Sequence, residues 1–320
     1  MIRLIQNEWM KLFWRISTWI MTAILLLGVV GVLIYSITNQ PSAEELPSEA
    51  QWKAETQQQI EQDQQAIEDS GGATAEYYEQ EIAINEYRIQ NDLPPQGATG
   101  ESVWSFMSTN AGLLDLLSIF VIIVAATIIS SEFKTGTIKL LLVRPPSRIK
   151  ILMSKYLTVI LYAVAMLALL FGASFILGAL FFGFGEPSTQ LIYTDGEVEQ
   201  RPQVLALAID YLTGSVNFVM LATLAFAISA IFRSEAMAIA ISVLLYVVGA
   251  GVTSTLALAY DWPKYLLFAN TNLNQYFTSG GPPVESMTLS FSVVVLIVYW
   301  LIFMGFAIWM FKKREISVTG

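Results

Sequence analysis

A chain of 320 residues in which 55% are hydrophobic and only 13% charged is too apolar for an ordinary soluble domain, and a mean hydropathy of +0.57 says the same. Its formal charge of −9 argues against nucleic acid as a partner, because neutralising phosphates takes clustered Lys and Arg. With neither His nor Cys, it has no thiolate or imidazole metal site, disulfide, cysteine nucleophile or histidine general base.

Residues 1–16 form a basic leader with Arg3, Lys11 and Arg15, and an apolar run at 17–37 follows. That run exceeds the apolar core of a signal peptide, so it is expected to stay as a first membrane span. Residues 38–110 change abruptly to Gln, Glu, Ala and Asp. A Gln- and Glu-rich stretch from Pro47 to Asp69, a Ser70-Gly71-Gly72 turn and a second stretch from Thr74 to Asn91 before Pro94-Pro95 predict a helical hairpin. Trp52, Ile60 and Ile67 on one arm and Tyr78, Ile82 and Ile89 on the other give it a thin apolar seam. The pattern fits either a cap that contacts a substrate or partner, or a solvated spacer.

A second apolar run occupies 111–130 and contains Asp115. An intramembrane carboxylate marks a functional candidate; the alternatives are a hydrated position near the headgroups or a packing hydrogen bond. The loop at 131–150 is the most informative stretch. Glu132 to about Val143 predicts a short helix with Ile138, Leu141 and Leu142 on one face, ended by Pro145-Pro146, after which Ser147 can cap the next helix. Ile and Leu side chains gain about 1.5–3 kcal/mol each on full burial, so such a peg needs a groove, or else it lies on the inner leaflet.

The third run, 151–184, is longer than a crossing of roughly 30 Å requires, and Gly172, Gly178, Gly183 and Gly185 permit a late break. Ser174 with Gly178, and Ala179 with Gly183, have small-residue spacing suited to close helix approach. A loop at 185–203 leads to the fourth run, 204–232, with Asp210 near its start. The fifth run is 236–259, followed by an external segment at 260–288, the sixth run at 289–311 and a basic tail at 312–320. Trp104, Tyr260, Trp262, Tyr265 and Trp300 lie near span ends, where aromatic rings favour the headgroup region.

Assigning loops alternately to the two sides puts thirteen of the seventeen Lys and Arg on one of them. Basic residues accumulate on the cytoplasmic side, so both termini should be cytoplasmic and the number of spans even. The expected fold is an all-α integral membrane protein with six transmembrane helices and an external helical hairpin between spans 1 and 2. The sequence contains no G-x-x-x-x-G-K-[ST] or G-x-G-x-x-G phosphate loop, and Ser147-x-x-Lys150 lacks the companion motifs of acylating enzymes.

The 131–150 loop resembles that of the ABC-2 type permease family, the membrane subunits of ABC exporters, in its Glu132, Gly136-Thr137, Leu140 to Leu142, Pro145 and Ser147. Asn7-Glu8-Trp9-Met10-Lys11 looks like the family's amphipathic connecting helix. Lys264-Tyr265-Leu266 through Leu273-Asn274-Gln275-Tyr276 is similar to its external re-entrant segment. The resemblance implies a non-enzymatic permease, in a bacterial plasma membrane, that exports amphipathic or lipid-like compounds or antimicrobial peptides. Its partners would be two copies of an ATPase subunit holding ATP and Mg, a second permease chain, and membrane lipid, with no cofactor in this chain. Glu132, Phe133, Lys134, Thr135, Gly136, Thr137, Ile138, Leu141 and Leu142 would then couple the ATPase to the spans. The rival readings are an ion-coupled secondary transporter and a non-transporting membrane sensor or scaffold.

Overall fold

A computed structural model describes residues 1–40, 46–69, 75–95, 98, 100–134, 147–185, 189–194, 196–232, 234–278 and 281–313. Among the described residues six helices are long and apolar enough to cross a membrane, and they dominate the architecture.

Helix α1 (Ile2–Phe13) lies outside the first span, and the chain turns at Arg15, whose backbone is extended, into α2 (Ile16–Asn39). The corner is fastened by α2 side chains that reach carbonyls at the end of α1. Thr18 Oγ1 donates to the Leu12 carbonyl at 2.6 Å and Trp19 Nε1 to that of Phe13 at 2.8 Å. Helices α3 (Glu49–Asp69) and α4 (Ala75–Gln90) pack together, and Lys53 near the start of α3 pairs with Asp92 just beyond α4. Their shared face is more polar than an apolar seam: Trp52 and Ile60 are buried beside Thr56 and Asp63 on α3, and Ile84 beside Asn85 on α4.

Before the second span the structure places a helix that the hydropathy pattern does not separate, α5 (Val103–Ala111), started by a capping box between Ser102 and Ser105. The span itself, α6 (Leu114–Lys134), carries Glu132 in its last turn, so Glu132 continues the spanning helix and does not open a new one. Helix α7 (Arg148–Phe181) starts with the Ser147 hydroxyl accepting the Lys150 N–H and runs unbroken through Gly172 and Gly178. Its 34 residues are roughly 50 Å of helix, so it projects beyond the hydrocarbon. A methyl at Gly178 would lie 3.1 Å from Val103 and Phe106 side-chain atoms, and this lets α5 pack directly on α7. The late break falls after the helix, at Gly183 and Gly185, both at positive φ.

The fold is all-α as expected apart from the loop that follows, where β1 (Thr189–Thr194) and β2 (Glu197–Pro202) pair antiparallel, in register from Thr189–Pro202 to Thr194–Glu197. Helix α8 (Gln203–Ile231) occupies the centre of the bundle, packed on α6, α7, α9 (Glu235–Ala257) and α11 (Leu289–Lys313). The core lies mainly along α6, α7 and α8, with Leu117, Val121, Ala125 and Ile129 facing Phe218, Ala222, Ala225 and Phe226 within one cluster. Helices α2, α9 and α11 leave apolar faces outward, as helices bordering lipid do.

Between α9 and α11 the chain makes two 3₁₀ turns, Trp262–Tyr265 and Leu273–Tyr276, around the single-turn helix α10 (Leu267–Asn270). Asn270 holds this segment together. Its Nδ2 donates to the Lys264 and Leu266 carbonyls, and its Oδ1 accepts from Ser292 on α11. The Phe268 ring packs against Gly249 of α9, where any side chain would collide with it.

Candidate functional site

At the end of the bundle occupied by α1, four charged side chains from three helices meet. Lys155, on the second turn of α7, is fully buried. Its ammonium donates to Glu8 Oε2 at 2.7 Å and to Glu132 Oε1 at 3.0 Å. Lys11, one turn along α1 from Glu8, donates to Glu8 Oε1 and to Glu132 Oε1, both at 3.1 Å. Two buried carboxylates thus share two ammonium groups, one wholly enclosed and one reaching water.

The arrangement follows from local sequence. Glu8 and Lys11 are three residues apart on a helix and therefore on one face. Glu132 sits where α6 ends and Lys155 where α7 enters the bundle, so both lie at the level of α1. Burying one of these ions alone would cost several kcal/mol; mutual pairing offsets that cost and leaves little tolerance for losing a member. Burial works against the Lys11 ammonium, yet Glu8 and then Glu132 outweigh it and hold its pKa above the usual lysine value. Arg15 adds a further tie at the corner, donating to Ser131 Oγ at 3.0 Å.

Beside the cluster is an open groove of about 520 Å³ lined by Asn7, Met10, Lys11, Trp14, Arg15 and Glu132, among others. A second tie lies nearby, between α6 and α8. Ser229 Oγ accepts the Ser130 N–H at 3.1 Å and donates to the Ala126 carbonyl at 2.6 Å, so the α8 side chain is inserted into the α6 backbone ladder.

Of the residues that sequence reasoning singled out for coupling, Glu132 is buried within this cluster, and Phe133 and Lys134 complete α6. Thr135, Gly136, Thr137, Ile138, Leu141 and Leu142 lie outside the described residues, in the 135–146 segment that α6 and α7 bracket. Asp115 is at the opposite end of α6, accepting the Tyr246 hydroxyl at 3.0 Å. Sequence reasoning read Glu8 and Lys11 only as part of a connecting helix, did not pair them with Glu132, and did not single out Lys155. The available signal was an ionisable residue, Lys155, just inside a long apolar run, which in a membrane needs a partner.

A bundle of six long apolar helices that encloses a charge cluster is a helical membrane protein. The chain belongs to the family described as Protein of unknown function (DUF2705), whose model matches residues 84–317. It is 42% identical over 320 residues to the uncharacterized protein YhcI of Bacillus subtilis (strain 168), covering 99% of this chain and all of the relative. It is also 33% identical over 228 residues to the uncharacterized membrane protein YdbK of the same organism, covering 69% of this chain and 86% of that one.

Proposed function

We propose that this chain is the permease subunit of an ABC exporter, with both termini in the cytoplasm and the 38–110 segment outside a bacterial plasma membrane. Two such chains, or one and a related permease, form the path; two copies of a separate ATPase bind ATP and Mg at the inner face. The exported compounds are amphipathic or lipid-like, antimicrobial peptides included.

The observation that carries this reading is the buried Glu8–Lys155–Glu132–Lys11 cluster. It joins α1 to the two helices that bracket residues 135–146, the stretch whose sequence resembles an ATPase-docking loop. A push on that stretch is delivered to a rigid joint of three helices and not to a slack loop. The charge asymmetry of the loops and the lack of any phosphate-binding loop in the chain support the same division of labour.

The test is co-purification. The chain is co-expressed with the ATPase encoded beside it and purified through a tag on the permease alone, as wild type, Gly136→Pro and Ile138→Asp. Retention of the ATPase by the wild type, and its loss from either variant with the permease still monodisperse, is the expected result. A well-folded wild type that retains no ATPase encoded beside it would overturn the proposal.

A further inference from the structure

At the end of the bundle opposite α1, an open cavity of about 890 Å³ lies between α6, α8, α9 and the turns around α10. Its two acidic groups, Asp115 of α6 and Asp210 of α8, come from different helices, and each is oriented by one neutral donor. The Tyr246 hydroxyl donates to Asp115 Oδ1 at 3.0 Å, and Asn274 Nδ2 donates to Asp210 Oδ1 at 2.9 Å. A carboxylate can accept about four hydrogen bonds, so both retain accepting capacity toward the cavity.

Among the described residues no Lys or Arg lines this cavity, and neither Asp forms an ion pair within 4.0 Å. Arg201, the basic group near Asp210, donates to the Phe277 carbonyl at 2.8 Å and stands over the Phe277 ring. The rest of the lining mixes apolar side chains, among them Leu116, Ile119, Val247 and Phe268, with neutral polar ones such as Ser118 and Asn217. Asp115 is exposed and Asp210 partly buried; a carboxylate at membrane depth favours a counter-charge, and among the described residues none stands at hydrogen-bond range of either.

We infer that this cavity binds an amphipathic organic cation, whose N–H donors reach Asp115 and Asp210 while its apolar body rests on Leu116, Ile119, Val247 and Phe268. As the identity of a transported class this rests on the permease reading. As a binding site it does not.

Isothermal titration of the purified full-length chain, without any ATPase, tests it with three cage compounds of similar size: 1-adamantylammonium, 1-adamantanol and adamantane-1-carboxylate. Saturable binding of the ammonium is expected, with the alcohol at least about tenfold weaker and the carboxylate undetected. Asp115→Asn and Asp210→Asn, which keep the shape and the acceptor oxygen, should each weaken the ammonium by about tenfold in protein whose elution and melting match wild type. Equal binding of alcohol and ammonium, no saturable binding, or wild-type affinity in the folded double variant would each overturn the inference. The comparison of three ligands on wild type decides the matter even if a variant fails to fold. ATPase retention without ammonium binding defeats this inference alone, whereas ammonium binding without ATPase retention defeats the permease reading and leaves the site standing.

Discussion

Lys155 and Lys11 touch the same two carboxylates, but their surroundings make them unequal. Lys155 is enclosed; its replacement by Met leaves Glu8 and Glu132 buried with only the half-exposed Lys11 to balance them. Removing one partner of a buried ion pair typically costs 3–5 kcal/mol, so Lys155→Met should lower the thermal midpoint sharply, and adding Glu8→Gln should recover part of the loss. Lys11→Met at the water-facing edge should cost much less, because solvent already screens that pair. The pH dependence has a definite sign. The Lys11 pKa is raised in the folded state, so its contribution is complete below the ordinary lysine value of 10.5 and disappears as pH climbs through and beyond it. Melting curves from pH 7 to 11 should therefore show an alkaline loss of stability that is smaller in Lys11→Met. The same slope in both proteins would assign the effect to other groups.

At the scale of elements, polar bonds across the spans fix how the helices are placed. Trp300 of α11 donates its Nε1–H to the Tyr156 hydroxyl at 2.9 Å, and that hydroxyl lies 2.9 Å from Thr223 Oγ1, which donates to the Val219 carbonyl. One chain of bonds therefore joins α7, α8 and α11. Tyr156→Phe removes its middle member, and interhelical bonds within membranes average about 0.6 kcal/mol, with about 1.7 as the observed upper value. A loss of about 1 kcal/mol is expected, and in a double-mutant cycle with Trp300→Phe the two losses should be less than additive. Full additivity would mean that the two side chains act independently. The spans themselves were legible in the sequence, because crossing a bilayer demands long apolar runs, and the helix ends fall within a few residues of those runs. Helix α5 was hidden because its nine residues mix Val103, Trp104, Phe106 and Met107 with Ser105, Ser108, Thr109 and Asn110, too short and too polar to stand out as an apolar run, and only the Ser102–Ser105 box and Gly112 mark its ends. The β1–β2 pair was readable in principle from the β-prone run Leu191-Ile192-Tyr193-Thr194, the Asp-Gly dipeptide at 195–196 and the alternation around Val198. The charge cluster was not readable, since Lys155 meets residues 147 and 23 positions away and pattern within a window carries no information about such pairs.

At the scale of the molecule, consecutive spans alternate in direction, with α1, the end of α6 and the start of α7 at one end and the β1–β2 pair and the turns around α10 at the other. The charges are divided in the same way. The cluster end carries most of the Lys and Arg, and the cavity end carries Asp115 and Asp210. If the membrane potential and the positive-inside rule set the orientation, the cluster end faces the cytoplasm. The chain offers a clean test because it has no native Cys, so every introduced thiol is unique. Gln58→Cys on the exposed side of α3 should react with a membrane-impermeant maleimide in intact cells, whereas Arg3→Cys on α1 should react only after permeabilisation. The reverse pattern would put the 135–146 segment outside the cell, beyond reach of any ATPase, and would exclude coupling through that segment whatever the co-purification shows. Labelling of both in intact cells would put the two sites on one side, which needs an even number of crossings between them; with the single span α2 between them it would mean that Arg3→Cys had been exposed by damage. For that reason Arg3→Cys labelling is compared with that of a cytosolic marker thiol in the same cells.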